Sequence, residues 1–481
     1  MSQLHEAHHK IVYDFKELES HYKIFIFDKV FTFVLLLNLT GLFSFVAFQL
    51  NVEIKIISLV LLALNCLYVI VNHKAALSMF RKKHIFYWFI FLVFWPFLST
   101  IYAPAINFRE LGLQVYYFTL MLATSTYLFK NGFKSLHKII TVAFFITIFG
   151  LILSMFMGNL FQITGSMDQL NLRFQGRAFG FYMQPNLAAM SINLLFVVWF
   201  AGLRKIGTLT MFLSSLGFFV LVILTGSRAG SIVAFAVVLL IFINKGNRVN
   251  KPFKILISPK PIITFFLVLC CFQAFIPLLL VFLKTTLPKR VDNFDVIARI
   301  EAISHMKLTE KSSHDTSTVA ERLQLLKQYS SEICECPILG KGFGSTTILR
   351  AKGILDRRSH NQYLKITFET GIFRLAFYLL LLFSIYIHPR RKRIERLLHT
   401  NSYAQFITVV MLEGMVSNTV LDSRLLYCVL GYFIAMLISP QIITDDLALE
   451  ENSQRPEDTN VLRIQNEKQE ALQLLSKSLE T

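Results

Sequence analysis

What most limits the folding of this chain is a recurring pattern. Apolar stretches of about 20 residues, enough to cross a bilayer core as helices, alternate with short polar loops. They fall near 30–50, 54–71, 85–102, 110–129, 139–158, 183–202, 206–224, 229–244, 261–283, 361–388, 402–419 and 425–439. The pattern predicts an all-α polytopic membrane protein of about 12 transmembrane helices with both ends on one side. Composition agrees. Hydrophobic residues are 54% of the 481 and charged residues 16%, against about 25% charged in a soluble domain. One or two soluble cores could not hide that much apolar surface. Disordered, collagen-like and disulfide-scaffold classes are excluded on the same grounds.

The charge is +18, from 48 Lys and Arg against 30 Asp and Glu. Alternate loops hold the excess: Lys74 and Arg81–Lys83, then Lys130, Lys134 and Lys138, then Arg204 and Lys205, then Lys245–Lys260, then Arg390–Arg396. The loops between them, around Asn51, Pro104 and Asp422, are poor in basic residues. Positive residues stay in the cytoplasm, so both termini are expected there. The basic residues partition by membrane side, which argues against nucleic-acid binding through one patch. This divides the chain into a cytoplasmic N-terminus (1–29), helices 1–9 (30–283), a large external loop (284–360), helices 10–12 (361–439) and a cytoplasmic tail (440–481). Residues 1–23 lack an apolar h-region and a small-residue cleavage site, so they do not read as a removable signal peptide.

Two external segments stand out, Asn159–Tyr182 and the loop of about 77 residues from Lys284 to His360. The second is basic, which long translocated loops tolerate, and its stretch Ser317–Glu335 has a helical pattern. A weakly amphipathic helix is expected near 461–479. The six cysteines form neither a disulfide framework nor a zinc site.

Three places have the residue types for chemistry. Gly226-Ser227-Arg228-Ala229-Gly230 puts an arginine at the external junction of two spans. It reads either as a side chain snorkelling to headgroups or as an anion clamp, because a guanidinium fork fits phosphate oxygens bidentately. At Ser359-His360-Asn361-Gln362-Tyr363-Leu364 the chain re-enters the membrane. His360 is either a proton acceptor near neutral pH or an interfacial residue, and Asn361 is a candidate N-cap. Upstream, Glu321-Arg322 precedes the glycine-rich Pro337-Ile338-Leu339-Gly340-Lys341-Gly342-Phe343-Gly344, either an anion-binding nest or a plain turn. The third place is Arg173-Phe174-Gln175-Gly176-Arg177 with Gln184-Pro185-Asn186. Glu369, inside an apolar span, is a functional candidate by default, or else pairs with Lys365 or Arg374.

In order, Pro185-Asn186, GSRAG, Glu321-Arg322, PILGKGFG, HNQYL and Glu369-Thr370-Gly371 resemble the O-antigen ligase/polymerase superfamily, across roughly residues 170–435. The resemblance implies a GT-C-like, metal-independent, inverting glycosyltransferase without a cofactor in the bacterial inner membrane, its active site periplasmic. Such an enzyme moves a glycan en bloc from undecaprenyl pyrophosphate to an acceptor sugar hydroxyl. Carried over, Arg228 and Arg322 grip the donor pyrophosphate with Arg177 assisting, and His360 faces the acceptor hydroxyl. Asn361, Tyr363, Glu369, Gly342 and Gly344 support them. The expected partners are the lipid-linked glycan donor, a lipid A–core or other glycan acceptor, and membrane lipids. The arginine-to-glycine spacing described for polymerases is not found cleanly in both external loops, which favours ligase over repeat-unit polymerase. Protein oligosaccharyltransferase ranks lower, and a transporter lower still, because two similar halves are missing.

Overall fold

The computed structural model describes residues 26–50, 52–103, 107–156, 178–182, 184–203, 207–245, 316–355, 359, 361–391, 402–417 and 420–440. Arg177, His360, the span expected at 261–283 and the tail helix expected at 461–479 lie outside them.

Every described element is a helix. In chain order they are α1 (26–40), α2 (Leu42–Gln49), α3 (Ile54–Val71), α4 (His73–Phe80) and α5 (Lys83–Tyr102). Next come α6 (Phe108–Phe156), α7 (Pro185–Ala201), α8 (Thr208–Leu224) and α9 (Arg228–Lys245). The last five are α10 (Thr316–Glu335), α11 (Ser345–Ala351), α12 (Gln362–Arg391), α13 (Ser402–Val416) and α14 (Arg424–Ile438). Helix α10 lies where the loop pattern predicts one. Among the described residues, three helices are long and apolar enough to cross a membrane: Lys83–Tyr102, Phe108–Ser154 and Gln362–His388. Ile56–Val71 and His73–Phe80 qualify as a fourth only if taken together across their 93° bend. Helices α7, α8, α9, α13 and α14 are apolar but shorter.

Helix α6 is two helices in one. Unbroken, its 49 residues would run about 73 Å, more than twice a bilayer core of about 30 Å. The break is Gly132, whose φ of 81° and ψ of 169° reverse the chain. Both far ends return to α1. Tyr116 Oη donates to Asn38 Oδ1 (2.5 Å), while Tyr182 Oη donates to the Leu39 carbonyl (2.5 Å) and lies 3.3 Å from Thr147 Oγ1. The two limbs match the spans expected at 110–129 and 139–158.

Helices α7 and α14 are buried on nearly every face, consistent with their apolar residues all round. In lipid, close fit and interhelical hydrogen bonds hold such helices together. Gly431 brings α14 against the Met121 carbonyl of α6, and Ser125 Oγ donates to the Gly431 carbonyl (3.0 Å). Loops that the charge pattern assigns to one side also meet at one end. Tyr117 Oη donates to the Asp422 carbonyl (2.7 Å), Gly344 lies against Asn107, and Tyr182 lies against Gly41. At the other end Lys130 pairs with Asp28 (2.8 Å), and His137 packs beside Gly202.

Candidate functional site

Three elements converge beside α13. Helix α9 starts from the GSRAG segment: Ser227 Oγ accepts the Gly230 N–H (3.1 Å), an N-cap bond that fixes its first turn, where Arg228 is the first residue. Gly230 lets α9 pack against Ala189 of α7. Its carbonyl accepts from Asn193 Nδ2 (3.3 Å), which also reaches Glu413 Oε1 of α13 (3.3 Å). Two residues away on α13, the Met411 carbonyl accepts from Tyr363 Oη (2.8 Å), near the start of α12. The start of α9, through Asn193, and the start of α12, through Tyr363, are therefore both tied to the same short stretch of α13.

The start of α12 is capped. Asn361 Oδ1 accepts the N–H groups of Tyr363 (2.9 Å) and Leu364 (3.1 Å), as its type predicts. Ser359 Oγ donates to the Asn361 carbonyl (2.9 Å). The chain is thus held on both sides of position 360.

Helix α12 breaks at Gly371 (φ 79°, ψ 175°), and the glycine-rich loop docks into the break. A continuous helix would pair the Ile372 N–H with the Phe368 carbonyl. Instead Ile372 N–H donates to the Pro337 carbonyl (2.9 Å), and the Phe368 carbonyl accepts from Lys341 N–H (2.7 Å). Gly340 and Gly371 face each other, so a Cβ on Gly371 would run into the Ile338 carbonyl. Gly342 lies against Ala103 and Gly344 against Asn107. The loop is clamped between α12 and the α5–α6 connection, and its Gly340 and Lys341 amides are already bonded to protein carbonyls. Lys341 pairs with Glu335 and with Glu332 (3.2 Å) at the end of α10. The Glu335 hydrogen bond raises the Lys341 pKa against the opposing effect of desolvation. Tyr329 of α10 packs on Phe368, ring centroids 5.1 Å apart, and is pushed up to about 12 by burial and then by nearby Glu369.

Glu369 is buried, 2% exposed, and its Oε1 has no hydrogen-bond partner. The expected pairings within α12 are replaced by others. Lys365 Nζ reaches Asp422 (3.2 Å). Arg374, 3% exposed, donates from Nη2 to the Phe91 carbonyl (3.1 Å) and from Nη1 to Thr370 Oγ1 (3.4 Å), with its guanidinium 4.6 Å from the Phe91 ring centroid. The cause lies in α5. Residues Ile90–Phe94 form a π turn, in which an N–H pairs five residues back. For the Phe91 carbonyl that partner is position 96, a proline without an N–H, and Arg374 supplies the missing donor.

The backbone of Arg228 lies in the first turn of α9 and that of Arg322 in α10. Arg177 and His360 are outside the described residues, so the described site consists of their supports: Asn361, Tyr363, Glu369, Gly342 and Gly344. Sequence reasoning missed Glu413, Arg424 and the Lys365–Asp422 pair. An ionisable residue inside the 402–419 span, read by the same rule as Glu369, would have flagged Glu413.

This is a helical protein with membrane-type spans and a loop domain docked at one end, its candidate site where loop and bundle meet. Residues 211–379 match the O-antigen ligase family model. The resemblance to the O-antigen ligase-like superfamily therefore holds over that segment, and it supports a ligase- or polymerase-type role with glycan and lipid-linked substrates. The chain has no match among curated proteins.

Proposed function

We propose that this chain is a GT-C-like inner-membrane glycosyltransferase with about 12 transmembrane helices, cytoplasmic termini and a periplasmic loop over 284–360. It transfers a glycan en bloc from undecaprenyl pyrophosphate to a sugar hydroxyl of lipid A–core. The observation that carries this reading is the family match over 211–379, which spans Arg228, Arg322 and His360. The start of α12 bonds to α13 directly and the start of α9 is linked to it through Asn193 of α7, which supports a single site.

In the proposed reaction His360 takes the acceptor hydroxyl proton while that oxygen bonds to the anomeric carbon. The bond from that carbon to the phosphate oxygen breaks, and the leaving diphosphate keeps the electron pair. Arg228 and Arg322, assisted by Arg177, balance its growing charge, in the manner of other pre-organised sites. In-line displacement inverts the anomeric centre. A positioned base contributes about 10²–10⁴-fold. Asn361 and Tyr363 fix the start of α12 that follows His360, Gly342 and Gly344 let the loop pack against the α5–α6 connection, and Glu369 supports the site from within α12. The reaction as written needs neither metal nor cofactor.

The test is complementation of a null strain with wild type and His360→Ala, reading lipopolysaccharide on a gel and protein level by immunoblot. Bare core from a well-expressed variant is the expected result. Core capped by one repeat would assign polymerase activity instead. An unchanged ladder would remove His360 from the chemistry.

A further inference from the structure

Transfer between two lipid-borne molecules needs two places to hold them, and the proposed donor arginine Arg228 begins α9. A cavity of about 540 Å³ lies at the end of the bundle where Gly41, Tyr182 and Asp422 meet. It is within the usual range for small-molecule sites, about 300–1,000 Å³. Leu187 and Ser191 of α7 line it, whereas Ala189 and Asn193 of α7 face α9. Two residues along a helix are about 200° of rotation, so α7 separates the two places.

The cavity has a basic wall and an apolar rim. Arg109 and Arg424 supply the positive charge. Asp422 is also on the wall, but Lys365 pairs with it (3.2 Å). Arg424 donates from Nη2 to Ser58 Oγ (2.7 Å), and its guanidinium sits 3.8 Å from the Phe43 ring centroid. Its Nη1 has no hydrogen-bond partner, and among the described residues no carboxylate pairs with Arg424. The wall is built in advance, because Tyr116, Tyr117 and Tyr182 spend their hydroxyls on Asn38 Oδ1 and the Asp422 and Leu39 carbonyls. At the rim, the apolar side chains of Phe108 and Leu59 are 75% and 67% exposed. Apolar side chains so exposed at the edge of a membrane-type bundle suit acyl chains, and two arginines lining one cavity suit phosphate.

We infer that the cavity between α3, the start of α6 and the start of α14 binds the acceptor, an amphiphile with a phosphorylated saccharide head gripped by Arg109 and Arg424. Its identity as acceptor rests on the transferase reading above. Its preference for a phosphorylated amphiphile does not. The Lys365–Asp422 pair and the Leu421 N–H to Gln362 Oε1 bond (3.5 Å) join this cavity to the start of α12.

The full chain in detergent would be titrated, by native mass spectrometry, with a bis-phosphorylated glucosamine-disaccharide lipid. The same lipid without its phosphates and phosphatidylglycerol serve as the comparison ligands. Arg424→Gln and the exposed-site variant Arg109→Gln are each expected to weaken the phosphorylated glycolipid about tenfold, the scale of one lost charge-assisted contact. The dephosphorylated lipid should bind wild type and variants equally weakly, and Arg228→Gln should leave glycolipid binding intact. Arg109→Gln keeps the test decisive if Arg424→Gln fails to fold. Equal loss of phosphatidylglycerol would make the cavity a general lipid-headgroup site and overturn the acceptor assignment. Unchanged glycolipid binding in both variants, or loss in Arg228→Gln alone, would overturn the site itself. Failure of wild type to restore capped core in the complementation test would defeat the transferase reading while leaving this binding result standing.

Discussion

At the scale of single residues, Gly371 carries the most structure for its size. Its positive φ releases the Ile372 N–H and the Phe368 carbonyl, and the Pro337–Lys341 loop takes both. Gly371→Ala would force a Cβ into a left-handed conformation and against the Ile338 carbonyl, a strain of about 1–3 kcal/mol. It should lower the thermal unfolding midpoint in detergent and abolish transfer. Gly217→Ala is the control, since a Cβ there meets nothing within 4 Å and removing a helical glycine gains about 0.5–1 kcal/mol. Equal behaviour of the two variants would mean that the docked loop is dispensable. Asn361 was legible as a cap because its type and its place before a span are local facts. The break at Gly371 was not, because Phe368-Glu369-Thr370-Gly371-Ile372 reads as part of one continuous helix until the loop that displaces it is seen.

At the scale of elements, α5 and α12 are joined by a vacancy in one and a cation from the other. Pro96 leaves the Phe91 carbonyl without a donor, and Arg374 fills the gap from α12. Arg374→Met should destabilise the protein by about 1–3 kcal/mol, the cost of an unsatisfied buried acceptor. Pro96→Ala restores an N–H, so Arg374→Met should cost less in that background. Chemical denaturation of all four variants measures the coupling, and contacting residues usually show about 0.5–3 kcal/mol. Strict additivity would mean that the Phe91 carbonyl does not need Arg374. The proline was visible in the sequence, but its partner was not, since 278 positions separate Pro96 from Arg374.

At the scale of the molecule, the proposed topology places Cys334 and Cys336 outside, and both are exposed. A membrane-impermeant maleimide should label them in cells with a permeabilised outer membrane. In a Cys334→Ser/Cys336→Ser background, Lys134→Cys should label only after the inner membrane is opened. The reverse pattern would place the site in the cytoplasm and exclude a periplasmic transferase.

Hydropathy and charge by themselves determined the helical, membrane-type class, the break of α6 between two spans, and the sorting of loops to two ends. These follow from local composition, because a bilayer imposes the same length and polarity on every span. Motif order determined the family segment. Tertiary structure alone decided that Lys365 meets Asp422 rather than Glu369, that Arg374 serves a carbonyl, and that the glycine loop is a clamp. It also decided that a cavity lined by Arg109 and Arg424 lies on the side of α7 away from α9. Each depends on which backbone groups and charges distant segments leave unsatisfied, and in a low-dielectric interior those needs are met by whichever partner packing brings within reach.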